Sequence, residues 1–336
     1  MGPLLFDRLT ALGVSWPDGV TSALRAAAVR AVAIEPLRQQ DLRRVLHAFR
    51  EAAIDVLIVK GSALAFQIYA RPELRPRADS DLLVRNADQS RALSLLASLG
   101  YAGRLLSGDP LANRQQAFDR RDAFGVEHVY DLHWDVTNTP VVRQALSFEE
   151  MFDRSVRVTP LDELALAPSL PDALLLACVH RAAHHHDSER LIWLFDIHLL
   201  HAGLSALERE EFPRQAVARG VSAICARSIM LAEEWFSSVS DATRTWHEEA
   251  VQRNEPSARF LDHGRRQVSV LTDDLRALGW RERLQRVRDL ALPPAIFMRS
   301  RYPSAPAFAL PFLYVARGVR GVSRLFHRVH RAGDAH

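Results

Sequence analysis

One lysine stands in front of a glycine and a serine, a combination that could bind phosphate. Lys60 is the one lysine among the 43 lysine and arginine residues of the chain, and Gly61 and Ser62 follow it directly. A compact ammonium on a flexible stem is not freely exchanged for a planar guanidinium. Glycine lets backbone amides approach a phosphate, and a helix that begins there supplies further N–H donors. The alternative is a lysine that ends a strand at the surface, where arginine would serve equally.

Polar residues alternate along two predicted strands and could bind a metal ion. Successive side chains of a strand point to opposite faces, so Asp79 and Asp81 project to the same side. The same rule places Asp131, His133 and Asp135 on one face of a later strand. Neighbouring carboxylates repel each other unless a cation lies between them, and Mg²⁺ prefers oxygen ligands. The alternative for the first pair is a polar edge strand or a turn.

The pattern of apolar residues predicts a sheet that would position these side chains. The first fifty residues are helical in pattern, with Asp41 as the N-cap of a helix that ends where Asp55 begins a strand. Apolar runs predict strands at 55–60, 79–85, 101–106, 115–119 and 126–136. Helices are predicted between them at 62–70 and 87–99. Strands mixed with helices in this way predict an α/β or α+β unit.

The second half of the chain is helical in pattern, apart from a short strand at 155–158. Its predicted helices cover 171–186, 189–201, 206–218, 221–238, 241–252, 257–276 and 280–289. A proline-rich stretch at 293–311 precedes a last helix at about 312–331. We therefore expect N-terminal helices at 1–54, a mixed unit at 55–150, a helical domain at 151–290 and a separate C-terminal segment at 291–336.

The last predicted helix carries a basic face. Its arginines recur every three or four residues and are backed by apolar positions: Arg317, Arg320, Arg324, Arg328 and Arg331. Such a helix could rest weakly on a membrane surface or hold an acidic partner. The alternative is the solvated face of a docked helix.

Composition limits the class of protein. A net charge of +3 is weak for a chain of 336 residues, so no nucleic acid partner is expected. Cys178 and Cys225 are too few for a disulfide framework and lie in apolar helical stretches. No apolar run reaches the roughly eighteen residues that a membrane span needs. Asp7 and Arg8 interrupt what would be the apolar part of a signal peptide. We expect a soluble, cytoplasmic protein with reduced thiols.

A histidine cluster in the helical half could take part in a site. His180 and His184 are four residues apart and therefore lie on one face of a helix. They could contact a substrate in a cleft, bind zinc together with a carboxylate, or be ordinary helix residues. Asp196, on the next predicted helix, could orient a histidine of this cluster.

These motifs together resemble the nucleotidyltransferase superfamily of the DNA polymerase β type. They are similar, more closely, to an uncharacterised bacterial nucleotidyltransferase family, and the resemblance spans about residues 40–200. It rests on seven features: Lys60–Ala65, Tyr69, Arg75–Val84, Leu99–Tyr101, Asp131–Trp134, His180 with His184, and Arg190–Ile197. The resemblance implies an α+β fold, with a nucleotidyltransferase-type mixed sheet and flanking helices in residues 55–150, followed by an all-helical domain.

The resemblance also implies roles for the carboxylates. Asp79 and Asp81 would bind two Mg²⁺ ions, with Mn²⁺ as an alternative. Asp131 would join one metal and help to deprotonate the acceptor. These three aspartates are therefore the predicted catalytic and metal-binding residues.

The remaining predicted site residues would hold the substrates. Gly61 and Ser62 form the turn that holds the triphosphate in such enzymes, and Lys60 would add a point charge for phosphate oxygens. Arg75 and Arg77 could reach the triphosphate or the acceptor, or form a solvated basic loop. The interval between Ser62 and Asp79 is longer than in compact members of the superfamily. The predicted substrate-binding residues are His133, His180 and His184.

The predicted function is transfer of a nucleoside monophosphate with release of pyrophosphate, an activity of the 2.7.7 class. The donor would be ATP and the product an AMP-modified acceptor, either a small molecule, a peptide or a protein side chain. One alternative is phosphoryl transfer from the same site. Another is a nucleotide-binding regulator without turnover, which would have little use for three metal-binding carboxylates.

Overall fold

The centre of the fold is a mixed sheet of five strands in the order β1-β2-β5-β4-β3. A computed structural model describes residues 1–14, 16–104, 114–137, 139–262 and 275–292, with scattered positions from 295 to 317. The strands are β1 (Val56–Val59), β2 (Ser80–Val84), β3 (Ala102–Arg104), β4 (Gln115–Arg121) and β5 (Glu127–His133). Strands β2 and β5 pair in parallel, whereas the other neighbours are antiparallel.

Helices flank this sheet and make up most of the chain after it. They are α1 (Gly2–Leu12), α2 (Asp18–Glu51), α3 (Lys60–Gln67), α4 (Gln89–Ser98), α5 (Phe148–Asp153), α6 (Leu170–Val179), α7 (Leu191–Gly203), α8 (Ala206–Ala218), α9 (Ser222–Phe236), α10 (Asp241–Gln252) and α11 (Trp280–Ala291). A π-helical segment, His180–His184, continues α6. Short 3₁₀ helices cover Pro72–Leu74, Asn86–Asp88, Pro140–Ala145 and Pro256–Leu261. The prediction of an α+β fold with a mixed sheet and a following helical region is confirmed.

The chain divides into two compact units. The first contains the five-stranded sheet and all described residues up to 262 except Arg114. The second contains Arg114 and the described residues from 275 onward. The site described below lies within the first unit.

Each face of the sheet packs against its own set of helices. Leu82 of β2 packs with Leu46 and Phe49 of α2 in one buried cluster. Leu83, the next residue of the strand, belongs to a second cluster with Leu174 of α6 and residues of α9. Because successive side chains of β2 point to opposite faces, the N-terminal helices pack on one face of the sheet and the helical region packs on the other.

The N-cap prediction for Asp41 is wrong, because this residue lies inside α2. The helix continues without interruption from Asp18 to Glu51 and contains Pro36. The carboxylate of Asp41 is buried, and it accepts hydrogen bonds from the hydroxyls of Tyr101, at 2.5 Å, and Tyr130, at 3.0 Å. Burial alone would raise the pKa of Asp41, but these hydrogen bonds and the charge of His128 hold it below its usual value.

Other predicted elements differ from the observed ones at their ends. The predicted helix at 171–186 is observed as α6 followed by the π-helical segment. The predicted strand at 155–158 is observed as β6 (Val156–Arg157), which pairs with a strand that was not predicted, β7 (Leu166–Ala167), in a separate two-stranded sheet. The predicted helix at 257–276 begins as a 3₁₀ helix, and its part from 263 to 274 lies outside the described residues. Four of the five arginines of the predicted basic face also lie outside the described residues, and only Arg317 lies within them.

A search of the described helices for a membrane span is negative. None of them is both long enough and apolar enough to cross a bilayer.

Replacing Asp41 should destabilise the fold strongly. Asp41→Ala removes the acceptor of two buried tyrosine hydroxyls and of Arg120, whose guanidinium lies 2.5 Å from it. Unpaired buried donors are costly, so the free energy of unfolding should fall by about 2–4 kcal/mol in urea denaturation. Gln40→Ala, at the exposed neighbouring position, should change it by less than about 0.5 kcal/mol. Equal losses in the two variants would show that the Asp41 network contributes nothing specific.

Candidate functional site

Parallel pairing of β2 and β5 brings two aspartates side by side. Asp81 is the register partner of Asp131, and Leu83 is the partner of His133. Asp81, Asp131 and His133 therefore project from the same face. One ligating atom from each of these three residues lies within 4.8 Å of the others. Among the described residues, they form a group of potential metal ligands. We call these three residues the ligand trio.

The ammonium of Lys60 lies against the ligand trio. Its Nζ donates a hydrogen bond to Oδ1 of Asp81 over 2.6 Å and lies 3.2 Å from Nε2 of His133. The Asp81 and His133 atoms are themselves 2.8 Å apart. Lys60 has a φ of +53°, in the left-handed region that residues with a side chain rarely adopt. The lysine singled out by composition is therefore in a strained backbone conformation beside the carboxylates.

The electrostatics show an excess of negative charge. Burial raises the pKa of Asp131 to about 6, helped by the charges of Asp81 and Asp79. Burial and the charge of Asp81 likewise raise the pKa of Asp79. Burial would raise the pKa of Asp81 too, but Lys60 and His133 hold it well below its usual value. One ammonium thus faces three carboxylates.

These residues fit a divalent cation. Adjacent ligands of an octahedral ion at about 2.1 Å are about 3.0 Å apart, close to the 2.8 Å between Asp81 Oδ1 and His133 Nε2. Two carboxylates and an imidazole are a donor set that Mn²⁺ and related ions accept, and carboxylates alone suit Mg²⁺. Asp79 lines the same pocket but does not belong to the ligand trio, in which His133 takes the third place. The predicted trio of aspartates thus differs from the one assembled by the strands, since Asp79 precedes β2 and has no register partner on β5.

The glycine and serine after Lys60 lie at the start of α3. Ser62 is fully buried, and its hydroxyl donates to the backbone oxygen of Asp79 over 3.3 Å. A Cβ at Gly61 would lie 3.4 Å from a guanidinium nitrogen of Arg75, which shows how closely that side chain covers the glycine. The turn therefore joins the end of β1 to the beginning of β2.

Arg75 and Arg77 are buried in ion pairs and do not form a solvated loop. Arg75 makes a bidentate pair with Asp196 of α7, with nitrogen–oxygen distances of 2.8 and 2.7 Å. Arg77 makes another with Glu35 of α2, at 2.9 and 2.8 Å. These pairs fix the long interval between Ser62 and Asp79 to helices on both sides.

Asp196 pairs with Arg75 and Tyr69 and not with a histidine of the cluster, as its position on the next helix had suggested. Its carboxylate accepts from Arg75 and from the Tyr69 hydroxyl at 2.7 Å, and the described contacts include none to a histidine. No local pattern links Tyr69 to Asp196, so sequence reasoning missed this buried pair.

The histidine cluster lines the same pocket, and we call His180, His184 and His185 the histidine wall. Nε2 of His184 lies 2.6 Å from the hydroxyl of Thr137, and Nε2 of His180 lies 3.1 Å from that of His185. The Trp193 ring packs against His185, with 4.1 Å between ring centroids. Burial and the charge of Lys60 lower the pKa of His184 to about 3, and burial lowers that of His180 well below its usual value. These two imidazoles are neutral at physiological pH.

All the predicted site residues except Ser62 and His133 line one pocket of about 480 Å³. That volume is in the range of small-molecule sites. The lining includes the carboxylates and Lys60 together with His180, His184 and Trp193. Sequence reasoning missed His185 and Arg190 as lining residues, although His185 directly follows His184 and Arg190 begins one of the segments that carry the resemblance.

Comparison with known proteins agrees with this architecture. The model of a family described as uncharacterised nucleotidyltransferase matches residues 1–237. The chain belongs to that family. The match covers the sheet, the ligand trio and the histidine wall, and it confirms the resemblance that the motifs indicated. Membership supports a transferase that acts on a nucleotide. A search of curated proteins gave no match.

Removing the Asp131 charge should stabilise the metal-free protein near neutral pH. The pKa of Asp131 is about 6 in the folded state, above the ordinary value of 3.8. Between pH 3.8 and pH 6 the folded state therefore keeps a proton that the unfolded state has lost. Stability therefore falls as pH rises from 4 to 6, and the cost remains above pH 6. Asp131→Asn should add about 1 kcal/mol at pH 7.5 after allowance for solvent screening, measured by urea denaturation in chelator.

The gain from Asp131→Asn should disappear as the pH falls through 6 towards 4. Asp135→Asn is the matched control, because this nearby carboxylate lies after β5 and pairs with Arg143 at 3.2 Å. It should show no gain at pH 7.5. A loss of stability in Asp131→Asn at that pH would contradict the charge excess described above.

Proposed function

We propose that the protein is a divalent-metal-dependent nucleotidyltransferase that moves AMP from ATP to an acceptor and releases pyrophosphate. The observation that carries the proposal is the convergence of Asp81, Asp131 and Lys60 in the pocket of a nucleotidyltransferase family member. Residues 55–150 would be the catalytic domain, and the helical region after 150 would close the pocket.

The proposed metal ligands are the carboxylates of Asp79, Asp81 and Asp131. Mg²⁺ is the proposed ion, two per site, with Mn²⁺ as an alternative. When bound, such ions would neutralise phosphate charge and polarise the reacting oxygens. His133 is close enough to contribute a nitrogen ligand.

The transfer itself needs a base and a leaving group. A hydroxyl oxygen of the acceptor forms a bond to the α-phosphorus, and the bond from that phosphorus to the oxygen bridging to the β-phosphate breaks. The electron pair leaves with pyrophosphate. Asp131 is proposed to take the acceptor proton, since its carboxylate lies beside Asp81 on the neighbouring strand, in the group that would hold the metal.

The proposed nucleotide-binding residues are Lys60, Gly61, Ser62, Arg75 and Arg77. Lys60 and the amides that open α3 would contact the phosphates directly, since an ammonium and a helix N-terminus both favour an anion. The buried hydrogen bond of Ser62 and the ion pairs of both arginines support a further role, which is to hold the backbone between α3 and Asp79 in place.

The wall of His180 and His184 is proposed to contact the acceptor, together with His133 near the carboxylates. Neutral imidazoles can donate or accept hydrogen bonds without adding charge, and Trp193 offers an apolar surface. A small molecule, a peptide or a protein side chain could each provide the acceptor hydroxyl.

Labelled nucleotides test the proposal against its alternatives. The protein is incubated with Mg²⁺ or Mn²⁺, a mixture of candidate acceptors, and ATP labelled at either the α- or the γ-phosphate. Nucleotidyl transfer places the α-label on the acceptor and releases pyrophosphate. Transfer of the γ-label would establish a phosphotransferase. Nucleotide binding without either transfer, across the four nucleoside triphosphates, would indicate a regulator.

Loss of a site carboxylate should abolish turnover without unfolding the protein. Asp81→Asn keeps the shape but removes the charge that offsets the metal, so turnover should fall by at least about a thousandfold. Asp79→Asn and Asp131→Asn should cost comparable amounts. Asp135→Asn should cost less than tenfold, because its carboxylate is paired with Arg143 after the strand ends. The reverse order for Asp131 and Asp135 would reassign the third carboxylate.

Gly61→Ala separates stability from phosphate binding. The added methyl group would lie 3.4 Å from Arg75, an ordinary contact, and alanine favours a helix over glycine. The free energy of unfolding should therefore change by less than about 1 kcal/mol. If a phosphate approaches the Gly61 backbone, the affinity for nucleotide measured by calorimetry should fall about tenfold. Unchanged affinity would remove Gly61 from the proposed phosphate site.

A further inference from the structure

Lys60 lies where its side chain would not be expected from the alternation of β1. Val59 is the register partner of Asp81, and it packs in the same buried cluster as Leu83. Continued alternation would send the next side chain to the opposite face of the sheet. The left-handed backbone at Lys60 breaks this alternation, and the ammonium instead reaches Asp81 and His133. A strained conformation persists only where the surroundings impose it, and such positions cluster at functional sites.

The contacts of the ammonium are those of a cation among metal ligands. Its nitrogen, Oδ1 of Asp81 and Nε2 of His133 form a triangle with sides of 2.6, 3.2 and 2.8 Å. In that triangle Nε2 of His133 cannot both accept from Lys60 and donate to Asp81, because one ring nitrogen has either a proton or a lone pair. A divalent ion bound by the oxygen and by the nitrogen lone pair would satisfy both Asp81 and His133.

A divalent ion and the ammonium cannot both occupy this position. An ion bound to Oδ1 of Asp81 at about 2.1 Å would lie at most about 4.7 Å from Nζ, because Nζ is itself 2.6 Å from that oxygen. At such a separation two cations repel strongly inside a protein. Sharing the carboxylate is therefore costly, and exchange of one cation for the other removes the repulsion.

We propose that Lys60 is a built-in counter-ion of the metal site, which holds the ligand trio in the metal-free protein and is displaced when a divalent cation binds. This inference rests on the proposed function and adds its regulation: metal binding and release of the lysine are one event. The displaced ammonium is then available for the phosphates of the incoming nucleotide. The ion that releases it is a small divalent cation such as Mg²⁺ or Mn²⁺.

Two substitutions at this position should change metal affinity in opposite directions. Lys60→Met keeps the length of the stem but removes the competing charge, so Mn²⁺ should bind about tenfold more tightly. Lys60→Arg introduces a fork that can bind Asp81 through two nitrogens, so Mn²⁺ should bind about tenfold more weakly. The measurement is titration of the full-length protein with Mn²⁺ followed by electron paramagnetic resonance, without nucleotide.

The control is Arg190→Met, which removes a positive charge from the same pocket. The Arg190 guanidinium packs over the Trp193 ring at 4.6 Å, and the described hydrogen bonds and ion pairs include none between it and the ligand trio. Its loss should change Mn²⁺ affinity by less than about threefold. Similar tightening in Arg190→Met and Lys60→Met would mean that any positive charge in the pocket acts in the same way, and would overturn the proposal.

Thermal unfolding supplies a second readout. In chelator, Lys60→Met should melt below wild type, because the trio loses its counter-ion. With saturating Mn²⁺ the difference should disappear, since tighter binding to the folded state offsets the lost counter-ion once the lysine is displaced in wild type too. Equal Mn²⁺ affinity of wild type and Lys60→Met would defeat the exchange but leave the proposed function standing. Absence of Mn²⁺ binding in both, with ATP present, would instead overturn the metal-dependent function itself.

Discussion

The parallel pairing of β2 with β5 is the interaction on which the site depends. It sets Asp81 opposite Asp131 and places His133 one register step farther along the same face. A shift of one residue in β5 would turn Asp131 and His133 to the other face of the sheet, towards the apolar cluster formed with α2, and separate them from Asp81. The two apolar clusters on either side of the sheet fix that register, because Leu82 and Leu83 must enter different ones.

Buried ion pairs position the segments that the sheet does not hold. Arg75 joins the segment before β2 to α7, and Arg77 joins it to α2. Removing one partner of such a pair leaves a buried charge without compensation, which is costly. The helical region and the N-terminal helices are thereby connected to the approach to Asp79, so the carboxylate side and the histidine wall of the pocket belong to one framework.

Local pattern was sufficient for much of the fold and for the composition of the site. Helices α8 and α10 agree with the predicted bounds to the residue, and the strands β1, β2 and β5 agree to within three. Asp41 shows where local pattern is insufficient. An aspartate before an apolar helical run has the appearance of an N-cap, but its partners Tyr101 and Tyr130 are distant in sequence and brought to it by the sheet. The same limit applies to Asp196, whose partner Arg75 lies on another element.

The sequence by itself determined which residue types are present for chemistry. Strand alternation put Asp81 with Asp79, and Asp131 with His133, while composition singled out Lys60, because both are local properties of the chain. Only the tertiary structure decided how they combine. It put His133 in the ligand trio, with Asp79 beside it, and the Lys60 ammonium among the ligands. Such contacts depend on strand register and on a left-handed turn at one residue, and the packing of the whole sheet sets both.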